Sequence, residues 1–265
     1  MEPYNIEIIV KEHGVPFYNQ NQPQTVEMLS GYLTSEQPVQ YVTLTIGMFL
    51  EALREPDFHE IISNSIAVPE STGLRWFSAI VPPKMPRVPG GDTIRLLVNE
   101  LVQFGKPLVL VGSTQENRQR VAAVFGSEVP DLKVIVIEGE HNFDDPVESE
   151  KIAKLIHGIQ PGLTLVACDE IRGPRWIDKY LIKPKLGSGV VVSGGQTIDV
   201  WACVKTTPPK LARDLGFGWL IRMFLEKKER RNRYLEVFKE LIYLTVSRVL
   251  VNNHRDPLND LDTSH

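Results

Sequence analysis

Along the middle of the chain, short apolar runs alternate with longer stretches in which apolar residues return every three or four positions. Four runs stand out, at residues 107–111, 133–137, 163–167 and 190–192. Each is rich in valine, isoleucine or leucine, has strand length, and is soon followed by small or acidic residues. Strand, helix, strand is the pattern that builds a parallel sheet covered on both faces, with its ligand crevice at the carboxyl ends of the strands. The segments that follow the runs are therefore where functional side chains are expected.

Upstream, residues 6–10 read as a strand and residues 19–24 as a polar turn, followed by a helix with Val26, Leu29 and Leu33 on one face. Residues 39–45 read as a buried strand, 47–54 as a helix that Pro56 interrupts or ends, and 66–68 as a further strand before a helix around Trp76. The proline- and glycine-rich stretch 81–91 predicts a loop or subdomain junction. Beyond it, Ile94, Leu97, Leu101 and Phe104 fall at helical spacing over 93–104. After Pro208-Pro209 the pattern becomes one or two helices over 219–250. The fold class expected is α/β, a Rossmann-like and mostly parallel sheet flanked by helices over 1–208. A C-terminal helical appendage (209–251) and a polar tail (252–265) complete the chain.

Composition narrows the class. The 265 residues are 42% hydrophobic and 23% charged with a net charge of -4, which describes an ordinary globular protein and gives no pointer to nucleic acid. The two cysteines, Cys168 and Cys203, match neither a redox nor a zinc spacing, so a reducing, cytoplasmic setting is expected. Residues 1–9 lack the pattern of a secretory signal. No apolar run has the length of a membrane span, and the best attempt, 241–251, is broken by Thr245, Ser247 and Arg248. The last third is locally basic: residues 222–239 carry seven Lys or Arg against three Glu. That face either is solvated while the apolar side packs on the body, or lies on an anionic membrane surface as a peripheral attachment at its inner face.

Candidate chemistry follows the strands. After the first run, Gly112-Ser113-Thr114 lacks both dinucleotide and ATP fingerprints, although a Ser or Thr there caps a helix whose amide end suits a phosphate. After the fourth, Gly194-Gly195 precedes Gln196 and Asp199; the glycines fit either a plain turn or the close approach of a ligand, and a carboxylate there can accept from a nucleobase or ribose. Acid or base candidates at strand ends are Glu70, Asp92, His141, Asp169, Glu170 and Asp199. The single DxD, Asp260-Leu261-Asp262, lies in the tail, Asp144-Asp145 reads as turn chemistry, and no cluster suggests zinc or iron. Neither a cofactor nor a metal is expected.

In order along the chain, Val39-Gln40-Tyr41-Val42-Thr43-Leu44-Thr45, Pro69-Glu70-Ser71, Arg87-Val88-Pro89-Gly90-Gly91-Asp92, Gly112, Ser193-Gly194-Gly195-Gln196-Thr197-Ile198-Asp199, Leu215-Gly216 and Trp219-Leu220-Ile221-Arg222 resemble the motifs of the WecG/TagA/CpsF family of bacterial glycosyltransferases. The resemblance covers roughly 14–241. It implies transfer of a sugar, often N-acetylmannosamine, from a UDP-sugar donor to a lipid-diphosphate-linked sugar acceptor in cell-surface polysaccharide synthesis, with inversion and without a metal. Carried over by position, Glu70 stands at the catalytic Asp, Thr45 at the active-site Asn, Asp199 at the nucleotide-side Asp and Arg222 at the first appendage Arg. Arg87, Asp92, Gly112, Gly194, Gly195 and Gln196 fall in the substrate-binding motifs.

The departures fall at chemical positions. Glu70 replaces Asp and Thr45 replaces Asn, while Gly173 and Pro174 occupy the family's Gln-Glu pair. His141 and Asn142 replace Gly and Tyr, and Gly218 replaces a Glu. Two appendage arginines appear as Glu229 and Asn232, with Arg230, Arg231 and Arg233 nearby. Two readings stand: a divergent glycosyltransferase with Glu70 as base, or a non-catalytic homologue that binds a nucleotide, glycan or protein partner in the same crevice.

Overall fold

The computed structural model describes residues 9–12, 14–75, 86–194, 197–202, 239 and 242. The chain divides into two compact units, Met1–Ser71 with Pro86–Thr207, and Thr72–Met85 with Pro208–His265. In the second unit the described residues are 72–75, which are helical, with 239 and 242. Trp76 and the residues after it up to 85, the helices expected over 219–250 apart from Lys239 and Ile242, Cys203 and the tail fall outside the described residues.

The first unit opens with an antiparallel pair, β1 (Ile9–Glu12) and β2 (Val15–Tyr18). The second strand of that pair has no counterpart in the sequence reading. Its main sheet has six parallel strands: β3 (Val39–Leu44), β4 (Ile66–Pro69), β5 (Leu108–Gly112), β6 (Val134–Val136), β7 (Leu163–Ala167) and β8 (Val190–Ser193). The order across the sheet is β4-β3-β8-β7-β5-β6. The four runs are thus β5 to β8, and β8 lies between strands from the two halves of the chain.

Both faces of the sheet are covered, which is why the strands are continuously apolar instead of alternating. Leu108 and Leu110 of β5 join Val121 and Phe125 of the Gln115–Glu128 helix and Leu97 and Leu101 of the Gly90–Phe104 helix in one cluster. Val109 and Val111, their neighbours in the strand, face the other way, onto Ile152 and Ile156 of the Pro146–Ile159 helix and Trp176 and Ile177 of the Arg172–Ile177 helix. β6 is the exception: it is an edge strand, shorter than its apolar run and half-buried throughout.

Helix boundaries follow local chemistry. Asn21 begins the Gln22–Ser30 helix with a complete capping box, its side chain accepting from Gln24 N while the Gln24 side chain accepts from Asn21 N. Pro56 does not merely end the Ile46–Arg54 helix. It occupies the first turn of a new one, Pro56–Ser63, where its missing N–H costs nothing. The Gly90–Phe104 helix starts three residues before the expected Thr93, since the glycines enter its first turn. Among the described residues no helix is long and apolar enough to cross a membrane.

Candidate functional site

The helix after β5 packs on one face of the sheet and the helix after β7 on the other. In open parallel sheets, helices that leave adjacent strands for opposite faces are what puts the ligand crevice at the strands' carboxyl ends. The sequence-derived candidates in the first unit gather along this edge in two clusters.

The first cluster lies at the ends of β3 and β4. Thr45, the residue after β3, caps the Ile46–Arg54 helix: its Oγ1 accepts from Met48 N at 3.1 Å and lies 3.2 Å from Glu170 Oε2, to which it donates. Glu70, the residue after β4, is tied to the neighbouring strand by its N–H, which donates to Leu44 O at 3.0 Å. Its Oε1 accepts from Gly90 N at 3.3 Å. A Cβ at Gly90 would sit 2.5 Å from Thr43 Cγ2 and 3.2 Å from Glu70 Oε2, so Gly90 packs closely on both residues. Burial, and then the Glu70 charge, push the Tyr41 phenol far up from its ordinary value, leaving it neutral beneath the cluster. Arg87 lies half-buried in the loop leading to Gly90, with its Nε shielded from solvent and without a hydrogen-bond partner among the described residues. Asp92 is exposed in the first turn of the following helix.

The second cluster lies at the ends of β5 and β8. Gly112 (φ 79°) and Ser113 (φ 54°) both adopt the left-handed conformation. A side chain at Gly112 would meet Ala167 O at 2.2 Å, so glycine is required there on both counts. Ser113 Oγ donates to Asp199 Oδ1 at 2.5 Å, and Asn117 Nδ2 donates to the same oxygen at 3.1 Å. Thr114 caps the Gln115–Glu128 helix through Asn117 N at 3.2 Å. Gly194 N donates to Val166 O at 2.9 Å, holding the end of β8 against β7.

Beneath this turn lies Arg118, fully buried. Its NH1 donates to Gly112 O at 2.6 Å and Ser113 O at 2.8 Å, and its NH2 to Gly139 O. Burial pushes the guanidinium below its usual value, against the pull of Glu140 and Glu138. His141 completes the support: Gly112 N donates to its Nδ1 at 2.8 Å, and Nε2 lies 3.3 Å from Glu138 O. That pairing suits a neutral ring protonated on Nε2. Burial, reinforced by the Arg118 charge, lowers its pKa.

Asp169, after β7, accepts from the main-chain N–H of Ile171 and Arg172 and from Arg172 Nε. Burial alone would raise its carboxyl, but these bonds outweigh it and hold the pKa below the usual range. Arg172 also bridges to Asp144 at 2.9 Å. Gly173 and Pro174 are packing residues: a Cβ at Gly173 would come within 2.0 Å of Ser193 Oγ, and Pro174 O accepts from the buried Gln40 side chain at 3.1 Å.

Gly195, Gln196, Arg222, Arg230, Arg231 and Arg233 lie outside the described residues. The sequence reading passed over Arg118 and Asn117, and took the Ser113 side chain only as a candidate helix cap, a place that Thr114 fills. For Arg118 a signal existed: it precedes Val121 and Phe125 by three and seven positions, which puts a charge on the buried stripe of its helix. For Ser113 there was none, because its role depends on a left-handed backbone and on a partner 86 residues away. Glu170 was one acid candidate among six, and only the fold brings it to Thr45.

No curated protein matches the chain. The model of the Glycosyl transferase WecG/TagA/CpsF family matches residues 10–255, nearly the whole length and every candidate position above. The order of motifs, the parallel sheet that carries them and this match lead to one assignment: the chain belongs to the WecG/TagA/CpsF family of glycosyltransferases.

Proposed function

We propose that the chain transfers a hexose-type sugar, N-acetylmannosamine being the family's usual one, from a UDP-sugar to a lipid-diphosphate-linked sugar acceptor. The observation that carries this reading is the placement of Glu70 at the end of β4, in contact with Gly90 on the edge that also holds Asp199. Glu70 takes the proton from the acceptor hydroxyl as that oxygen attacks the anomeric carbon. The bond to the diphosphate breaks with its electrons going to the UDP oxygen, and a single displacement inverts the anomeric centre. The amide end of the Gln115–Glu128 helix receives the diphosphate, and Asp199 accepts from the nucleoside. Thr45, Arg87 and Asp92 line the sugar side, with Gly194, Gly195 and Gln196 at the nucleotide. No metal is invoked. Arg222, Arg230, Arg231 and Arg233 meet the acceptor diphosphate at an anionic membrane surface, where each cation is worth about 1 kcal/mol.

One observation favours the non-catalytic alternative: Gly173 has no room for the family's polar side chain. Calorimetric titration of UDP and UDP-sugars, followed by a transfer assay to a lipid-diphosphate sugar with and without EDTA, separates the two. Turnover that survives EDTA and is lost in Glu70→Gln at unchanged donor affinity is the expected result. UDP binding without turnover on any donor establishes the binding homologue instead, and EDTA-sensitive turnover refutes the metal-free mechanism. Flotation with anionic liposomes that weakens with salt tests the membrane surface; flotation unchanged on deleting 222–265 removes it.

A further inference from the structure

We infer that Ser113 is a positioning residue for nucleotide binding, acting with Asn117 through Asp199; the inference rests on the donor reading above. Three observations carry it. Ser113 keeps a left-handed backbone (φ 54°) that disfavours any residue with a Cβ. Its hydroxyl donates to Asp199 Oδ1 at 2.5 Å, across from β5 to the helix after β8. Asn117, only 8% exposed, donates to the same oxygen at 3.1 Å and to Ser113 Oγ at 3.3 Å.

A carboxylate oxygen that receives two donors is held in one orientation. Asp199 is then an acceptor prepared for the donor groups of a nucleoside, its ribose hydroxyls or base N–H, and has no conformational freedom to lose when the ligand arrives. The strained serine fits this role, since glycine would satisfy the turn more cheaply but would leave Asp199 Oδ1 with the Asn117 donor alone.

The test is a binding cycle on the full chain, with UDP as the calorimetric probe. Ser113→Gly removes the hydroxyl and relieves the backbone, so its melting temperature is expected to stay within about 3 °C of the parent. UDP affinity is expected to fall on the order of tenfold, the weight of one charge-assisted hydrogen bond. In an Asp199→Ala background the same change is expected to cost less than about twofold, because the route through Asp199 is gone. In turnover, Ser113→Gly should raise the donor KM and leave kcat within about twofold. Parent-like UDP affinity in Ser113→Gly, or an undiminished loss in the Asp199→Ala background, overturns the inference and leaves the donor reading intact. A wild-type chain that takes up no UDP overturns both.

Discussion

Replacing Arg118 with methionine tests whether the turn after β5 is held up from below. The guanidinium is fully buried and donates to three main-chain carbonyls, Gly112 O, Ser113 O and Gly139 O. Methionine fills a similar volume but strands all three. The buried Gly112 carbonyl loses about 1–2 kcal/mol with its donor, and the carbonyls of half-buried Ser113 and exposed Gly139, which water can reach, about half as much each, so the gross loss is about 2–4 kcal/mol. Part is returned, because the chain no longer buries a charge whose desolvation is visible in the downward push on the guanidinium. With about 1–2 kcal/mol recovered, the net is about 1–2 kcal/mol, or a fall in Tm of about 2–8 °C for a chain of this size. Arg118→Lys keeps the charge but not the planar fork that reaches three acceptors at once, and is expected to lose at least half as much. Thermal unfolding followed by circular dichroism at pH 7 reads both variants. If each melts within 2 °C of the parent, Arg118 does not hold the turn.

Gly112→Ala places a methyl group 2.2 Å from Ala167 O at φ 79°, and a backbone atom cannot step aside as a side chain would; a loss above about 3 kcal/mol in urea unfolding is expected, and a loss under 1 kcal/mol contradicts the close approach. Thr45→Ala removes a helix cap together with the bond to Glu170, for about 1–2 kcal/mol by the same measurement, and an unchanged midpoint would dismiss the cap. For His141 the sign follows from burial and the Arg118 charge, which lower the folded pKa below the unfolded value of about 6.5. The unfolded ring binds its proton first, so the stability present above about pH 6.5 is lost as pH falls toward the folded pKa. Urea midpoints between pH 7.5 and 5.5 should therefore drop more steeply in the parent than in His141→Asn, and parallel slopes would refute the assignment.

The segments that local pattern defines were legible in the sequence. The runs at 107–111 and 163–167 are strands because leucine and valine on both sides of the pleat must be covered by helices, and that requirement is written in consecutive residues. The positions of Glu70 and Thr45 at the sheet edge were legible for a related reason: a residue just past a strand is delivered to the carboxyl edge by the strand itself. The run at 133–137 shows the limit, since its composition matches the others but β6 takes an edge position and shortens. What pairs with what was decided only by the tertiary structure. β8 enters between β3 and β7, about 150 residues from the first of these, through backbone hydrogen bonds that any side chain would permit. The same docking brings Asp199 to Ser113 and Glu170 to Thr45. These contacts join residues far apart in the chain, and a polar side chain gives no local sign of which distant group will satisfy it.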